Sequence, residues 1–391
     1  MRILTVHNHY GDYLTGGEGN VFEAESRLLE DHGHEVRRFQ CTNYQIFKSN
    51  IFRQIRTFID VSWSKHGYEL ISEQIKNFRP DIMHVHNYWL ILTPSIFKAA
   101  RDYNVPTVLT LHNYRLLCPG GQFLRNNKPC ELCMNGKSWR VLWHRCYPGK
   151  SLLKSFLSLR LYRDTQKKNF LAPWLDAYIC LTTFGRKKFA EGGLPKEKLY
   201  VKPNFMEDPL NGKTTSTAGY GAIFVGRISP EKGLLTLMKS WQGINYPLTI
   251  VGDGPQMSKV RQIAPSIVKF IGERPHDETL KLIRDSAFFV FPSEWYEGFP
   301  LSLLEAMALG RAAVASDFEP RREMIQSRKT GLLFQPGNPD DLRNKVQLLI
   351  ADPKLCSNMG FTARQEYLQK YTPEKNYQML MNIYERIQTK L

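Results

Sequence analysis

Two carboxylates stand eight positions apart in Glu297-Gly-Phe-Pro-Leu-Ser-Leu-Leu-Glu305. The first lies in a glycine-containing turn and the second on the helix predicted to follow. Pro300 suits the first turn of that helix, because its missing N–H would be unpaired there anyway. The free N–H groups of the turn, with the helix dipole, make a ready anion site. An anion site between two hydroxyl-seeking carboxylates matches a nucleotide-sugar: diphosphate in the middle, sugar at one end, ribose at the other. Glu305 has mostly apolar neighbours, so burial would oblige it to find a partner. A ribose diol is one such partner and an internal arginine another.

Other candidate groups follow apolar runs that read as strands. Gly226-Arg-Ile-Ser-Pro-Glu-Lys-Gly233 offers Arg227 as a fork for two diphosphate oxygens and Lys232 as a point charge. Either ion alone would suit a solvated turn before a helix; both at one strand end favour phosphate. Gly252-Asp-Gly-Pro255 serves equally as a tight turn or as a place where a ligand approaches backbone. Gly272 and Glu273 could face a nucleotide base. Gly16-Gly17 could bring amides to phosphate, and His112 ends the run VLTLHN. His7, His9, His84 and His86 also lie near strand ends, so position alone does not single out His112.

The elements that must hold these groups alternate. Strands are predicted at Arg2–Val6, Glu35–Phe39, Asp81–His86, Thr107–Leu111, Ala177–Leu181 and Leu199–Lys202, with helical patterns at 68–78 and 94–103 among the intervening segments. After the polar stretch Asp208–Gly221 the pattern restarts. Strands Ala222–Val225, Leu248–Val251, Val268–Ile271, Phe288–Phe291 and Ala312–Ala315 alternate with helices at 231–241, 255–263, 276–285 and 300–309. Helical patterns at 339–351, 355–369 and 374–389 close the chain. Such alternation argues for parallel sheets covered by helices on both faces. In open α/β sheets ligands bind beyond the carboxyl ends of strands, where the candidates lie.

The chain has 391 residues, too many for one ordinary core, and 42% apolar and 23% charged residues. No apolar run approaches the roughly 18 residues of a membrane span, and the N-terminus enters a strand at once, so a cytoplasmic protein is expected. The net charge of +16 is uneven: residues 1–204 carry 30 Lys and Arg against 17 acids, and residues 205–391 carry 23 against 20. A basic half calls for an anionic partner. Residues 150–168 set Lys150, Lys154, Arg160, Arg163, Lys167 and Lys168 beside Leu152, Leu153, Phe156, Leu157 and Leu161; residues 46–59 repeat the combination. Such segments can lie on an anionic bilayer, here the inner face of the plasma membrane, or pack on their own sheet. Cys118, Cys130, Cys133 and Cys146 follow C-x11-C-x2-C-x12-C spacing, which can wrap a structural zinc, or leave reduced thiols or two disulfides.

Together these residues resemble the retaining GT-B glycosyltransferases of family 4, in a subgroup with a four-cysteine insert. The matching segments are GGEGN (16–20), PDIMHVHN (80–87), PTVLTLHNYRLLCP (106–119), FVGRISPEKG (224–233), IVGDGP (250–255), PSEWYEGFPLSLLEAMALG (292–310) and TGLLFQPGNP (330–339). The resemblance implies two Rossmann-like doubly wound α/β domains facing a cleft. Residues 1–205 would be the acceptor side, 206–221 a linker and 222–373 the donor side, with the helix 374–391 returning to the first domain. It implies that Arg227 and Lys232 hold the diphosphate, that Glu297 contacts hydroxyls of the transferred sugar, and that amides of Gly298, Phe299 and Leu301, around Pro300, line the sugar–phosphate site. It places Glu305 on the ribose, Gly17 near the phosphate, and His112 near the sugar and its developing charge. Transfer would retain the anomeric configuration, without a catalytic cofactor, onto a glycan or lipid-linked acceptor in surface polysaccharide or glycoconjugate synthesis. One departure stands out: relatives carry a Gly-Gly turn where this chain has Ser316-Asp-Phe-Glu-Pro320, with Arg321 and Arg322 next.

Two other readings remain. A zinc-containing nucleic-acid binder would use the charge and the cysteines, but leaves Glu297 and Glu305 unexplained and lacks an aromatic–basic stacking motif, so no nucleic-acid partner is expected. A GT-B-like sugar epimerase or phosphorylase would share the donor motifs and differ in its product.

Overall fold

The computed structural model describes residues 1–10, 17–44, 60–134, 136, 138–146, 152–166, 171–213 and 219–389. Gly16, the segment 46–59, Lys150, Lys167 and Lys168 lie outside them. Contacts divide the chain into one unit of Met1–Phe123, Glu131–Asn204 and Asn376–Leu391, and another of Leu124–Cys130 and Phe205–Lys375.

The first unit is built on β1 (Arg2–His9), β2 (Glu35–Thr42), β3 (Ile82–Asn87), β4 (Thr107–Leu111), β7 (Ala177–Cys180) and β8 (Leu199–Val201); the hairpin of β5 (Leu124–Arg125) and β6 (Lys128–Pro129), which intervenes in sequence, groups with the second unit. Its sheet order is β2-β1-β3-β4-β7-β8, all pairs parallel. Helices α1 (Gly17–Asp31), α2 (Lys65–Phe78), α3 (Ser95–Asp102), α4 (Arg140–His144), α5 (Leu152–Gln166) and α6 (Thr183–Glu191) complete it. The central strands are buried along nearly their whole length because both faces are covered, and β1 and β3 carry histidines among their apolar residues. Ile3, Ile82, Val108 and Ile179 pack with Leu380, Ile383, Tyr384 and Ile387 of the last helix.

The second unit repeats the plan with β9 (Ala222–Val225), β10 (Leu248–Val251), β11 (Val268–Gly272), β12 (Phe288–Phe291), β13 (Ala312–Ser316) and β14 (Gly331–Phe334), ordered β11-β10-β9-β12-β13-β14. Between and after the strands come α7 (Leu234–Ser240), α8 (Met257–Ile263), α9 (His276–Asp285), α10 (Leu301–Ala308), α11 (Glu319–Arg322), α12 (Pro339–Ala351) and α13 (Pro353–Lys370); the last helix, α14 (Pro373–Gln388), belongs to the first unit from Asn376 onward. β14 was absent from the predicted strands. It pairs with β13 at the sheet edge over four residues, too short for a periodic signal.

The segment read as a linker is anchored at its start. Arg364, 4% exposed, donates through both terminal nitrogens to the two Asp208 oxygens at 2.8 Å, and Asp208 also accepts from the backbone of Leu210 and Gly212. A bidentate buried pair of this kind fixes geometry as well as charge.

Candidate active site

In each sheet the strand order reverses at one place, and ligands of open α/β sheets bind outside the carboxyl ends of strands there. In the second unit that place lies between β9 and β12. Arg227 and Lys232 follow β9, and Glu297 follows β12. The two turns are locked together: Glu294 N–H donates to Glu231 O at 2.8 Å, and Thr236 Oγ1 donates to a Glu294 oxygen at 2.6 Å. Gly233 makes the approach feasible. Its φ is +70°, and a Cβ there would lie 2.1 Å from Pro292 O.

That packing brings Lys232 to Glu297, with Nζ donating to Oε1 at 2.8 Å. Ser293 Oγ and Trp295 Nε1 donate to the same oxygen at 2.6 and 3.2 Å. None of the described residues donates to Oε2. Burial pushes the Glu297 carboxyl up, but the Lys232 and Arg321 charges and the hydrogen bonds outweigh it and hold the group below the usual range. Glu297 is therefore an ionised carboxylate with one oxygen held by protein. Lys232, expected to serve only a diphosphate, is also its counter-ion. Arg227 is exposed and forms no ion pair among the described residues.

Pro300 is the N-cap of α10 (φ −77°, ψ 111°) rather than a residue of its first turn. No side chain caps the helix, and the first N–H there to reach a backbone carbonyl is that of Leu304, which donates to Pro300 O at 3.2 Å. Gly298 and Leu301 are half-buried and Phe299 is buried. Glu305, in the second turn, has a histidine rather than an arginine as its partner among the described residues. His276 Nε2 lies 3.0 Å from its Oε1, and this bond raises the His276 pKa above the ordinary imidazole value. Sequence reasoning passed over His276, which carries no strand-end signal. Gly272 (φ +75°) ends β11, the strand two places from β9, and exposed Glu273 follows it.

Arg321 was noted only as part of a divergent loop. It is 1% exposed, donates to Trp295 O at 2.7 Å and to Ser316 O at 3.3 Å, and stacks over Phe291 and Phe318. A buried guanidinium thus braces the Glu297 turn. The pair Arg321–Arg322 was a signal that could have shown this: Arg322 turns outward to Asp317, while Arg321 turns in.

In the first unit the sheet reverses between β1 and β3. Gly17 is the first residue of α1 and is exposed. His112 follows β4 and lines a cavity of about 40 Å³ with His86, Tyr88, Trp89 and Arg115. Burial, with His86 and His7 nearby, holds the His112 pKa well below the ordinary imidazole value, so the ring is neutral. Burial, with His86 and His9 nearby, lowers His7 to about 2.

The structure joins none of the four cysteines in a disulfide, and among the described residues the one trio at metal-ligand spacing is Glu25, His84 and His86. The Cys118 thiol is lowered to about 6, first by its hydrogen bond with Cys133, then by the N–H groups of Phe123, Gly120 and Gly121, against burial. Gly120 packs against both Cys118 Sγ and Cys146.

Two family models match the chain: Glycosyltransferase Family 4 over residues 15–208 and Glycosyl transferases group 1 over residues 215–366. The chain belongs to the family 4 glycosyltransferases. An uncharacterized glycosyltransferase of Methanocaldococcus jannaschii is 28% identical to this family 4 member over 216 residues, 54% of this chain and 60% of the relative. The N,N'-diacetylbacillosaminyl-diphospho-undecaprenol alpha-1,3-N-acetylgalactosaminyltransferase of Campylobacter jejuni is 34% identical over 135 residues, 34% of this chain and 35% of the relative. The match thus spans less than two thirds of either relative. Among solved structures, Anabaena Alr3699/HepE in complex with UDP superposes with a TM-score of 0.68 at 16% identity, covering 99% of this chain and 100% of that one. This likeness shows the GT-B fold, two parallel-sheet α/β units.

Proposed function

We propose that this family 4 protein is a retaining glycosyltransferase of the hexosyl type. It would move a sugar from a nucleoside diphosphate-sugar to a hydroxyl of a glycan or lipid-linked acceptor in surface polysaccharide or glycoconjugate synthesis. The observation that carries the reading is Glu297: an ionised, buried carboxylate at a strand-order reversal, held on one oxygen only. An exposed arginine follows β9 at the same reversal, and the helix after Glu297 has no side-chain cap at its N-terminus. The names of the Campylobacter relative and of the Anabaena complex agree with a nucleotide-sugar donor and a lipid diphosphate acceptor.

In this reading Arg227, Lys232 and the amides of Gly298, Phe299 and Leu301 neutralise the diphosphate. Glu297 Oε2 accepts from hydroxyls of the transferred sugar and orients it, without attacking it. Glu305 takes the ribose, Gly272 and Glu273 flank the base, and Gly17 and His112 serve the phosphate and the sugar. The anomeric carbon passes through an oxocarbenium-like state as the phosphate leaves, and the departing phosphate oxygen takes the proton of the acceptor hydroxyl on the same face. Product anomers read by NMR, with turnover of Glu297→Gln and Arg227→Ala variants in EDTA, test this. Inversion, or undiminished turnover by both variants, overturns it.

Two finer features belong to the same proposal. Cys118, buried and already facing three backbone N–H donors, suits a metal thiolate; Cys133 and Cys146 lie beside it, and Cys130 completes the C-x2-C knuckle in sequence. A structural zinc there would order a polar segment, and less than a tenth of an equivalent in chelator-free protein argues against it. On α5, Leu157 and Leu161 pack inward against Trp89 and Leu90, whereas Leu152 and Phe156 are about half exposed on the face that carries Arg160 and Arg163. Trp139, the N-cap of the neighbouring α4, and Trp143 within it are 52% and 81% exposed. This aromatic and basic surface fits an anionic bilayer. Among the described residues no helix is long and apolar enough to cross a membrane. Flotation with acidic liposomes tests peripheral binding.

A further inference from the structure

Behind His112 lies a line of buried groups that the proposed transfer does not use. The Lys202 ammonium donates to one oxygen of Glu25. The other oxygen of Glu25 lies 3.3 Å from Nε2 of His86. Nδ1 of His86 lies 3.0 Å from Nε2 of His112. Lys202, Glu25 and His86 are each at most 3% exposed. They come from three different places in the fold: after β8, on α1 and at the end of β3.

The protons in this line can be counted. Glu25 is ionised, because Lys202 and the neighbouring histidines outweigh the cost of its burial. An ionised carboxylate only accepts, so the nitrogen facing it must carry a hydrogen. A bare Nε2 on His86 would set a lone pair against a negative charge. A His86 ring with a single hydrogen, held on Nε2 toward Glu25, has a bare Nδ1, and that atom needs a donor from His112. His112 must then carry its hydrogen on Nε2. Among the described residues nothing bonds its Nδ1. His84 faces the same oxygen of Glu25, its Nδ1 3.1 Å from Oε1 and 2.7 Å from the Tyr384 hydroxyl, while its Nε2 lies 2.7 Å from Thr110 Oγ1; among the described residues no bond joins it to His112.

We propose that Glu25 and His86 are positioning residues that hold His112 as its neutral Nε2–H tautomer, leaving Nδ1 as a lone pair that accepts a hydroxyl hydrogen of the donor sugar. The last clause rests on the glycosyltransferase reading; the tautomer does not. Lys202 keeps Glu25 charged, and so keeps the line pointing one way. The arrangement holds one nitrogen of a histidine through a carboxylate so that the other is free, as second-layer partners do elsewhere.

The test is histidine-selective 15N labelling of the full chain, with long-range 1H–15N correlation spectra at neutral pH and no substrate. His112 is expected to show a hydrogen-bearing Nε2 and a bare Nδ1. His86→Phe should release His112 into a mixture of tautomers. His86→Asn should restore the wild-type pattern, since the amide oxygen can accept where Nδ1 did. Turnover is then measured with the best of UDP-glucose, UDP-N-acetylglucosamine and GDP-mannose, chosen by melting shift. His86→Phe should lower kcat at least tenfold with the donor KM within twofold, and His86→Asn should recover most of it. A wild-type His112 that carries its hydrogen on Nδ1, or one unchanged in a folded His86→Phe protein, overturns the proposal. The wild-type spectrum decides even if the phenylalanine variant does not fold. The expected tautomer in a protein that turns over no nucleotide-sugar overturns the transfer reading and leaves the line standing.

Discussion

Lys232→Met removes the counter-ion of Glu297 and leaves the side chain's apolar stem. At the observed 2.8 Å, and an effective dielectric of about 20, the attraction lost is about 6 kcal/mol. The Lys232 side chain is 20% exposed and that of Glu297 10%, so the removed ammonium also regains hydration. Ser293 and Trp295 still donate to the stranded carboxylate. The net cost should be about 2–4 kcal/mol, toward the lower end of what breaking a buried pair costs. For a unit of this size that is a fall in melting temperature of about 4–16 °C. Lys232→Met/Glu297→Gln should recover roughly half of the loss, because an amide needs no counter-charge.

The pH dependence has a definite sign. In the wild type the folded-state Glu297 pKa is lowered, so its contribution is present above the unfolded value of about 4.5 and fades as pH falls through the folded one. In Lys232→Met, burial acts with one less opposing charge and the folded pKa rises. The carboxylate then destabilises the variant at neutral pH, and acid relieves this. The gap between variant and wild type should narrow between pH 7.5 and pH 5. Thermal unfolding of wild type, both single variants and the double at the two pH values measures it. A Lys232→Met protein as stable as wild type at pH 7.5, a gap that widens in acid, or strictly additive variants would refute the reasoning.

Other outcomes follow from the same structure. Arg364→Met should cost about 3–5 kcal/mol, because it strands Asp208 and leaves the carbonyls of Ala308 and Lys213 without their donor; chemical unfolding measures it. Gly252→Ala should strongly reduce the yield of folded protein, since φ is +126° and its Cβ would lie 2.1 Å from Gly226 O; melting curves with Gly243→Ala, which meets no atom within 4 Å, provide the comparison. The raised His276 pKa means that its attraction to Glu305 is present in acid and is lost as pH rises through the folded value. UDP affinity of wild type should therefore change between pH 6 and pH 8.5, and that of His276→Gln should change less, by titration calorimetry.

The fold was legible because buried parallel strands are short unbroken apolar runs. Phe288–Phe291 and Leu248–Val251 could be placed to the residue. β14 was missed because four edge residues, one a glycine, carry no period. The strand-end candidates were legible as types: a glutamate after a glycine turn, an arginine and a lysine after a strand. Their pairing was not. Nothing in the sequence says that Lys232 and Glu297, 65 positions apart, share a bond, since that depends on how two turns pack at Gly233. Arg321 and His276 were hidden for a related reason: each acts through a neighbour's carbonyl or carboxylate. Glu25 was hidden further, because a lone acid on a helix looks like a solvated one until its partners from β3 and the end of β8 are in place.

The central claim is that the second unit binds a nucleoside diphosphate-sugar at the reversal between β9 and β12. Titration calorimetry of UDP, GDP and dTDP and their common sugar conjugates, in EDTA, tests it most directly with wild type and Arg227→Ala. The account predicts saturable binding of at least one of these by wild type and a loss of tenfold or more in Arg227→Ala. Absence of binding by wild type across the set, or equal affinity in the variant, would contradict it.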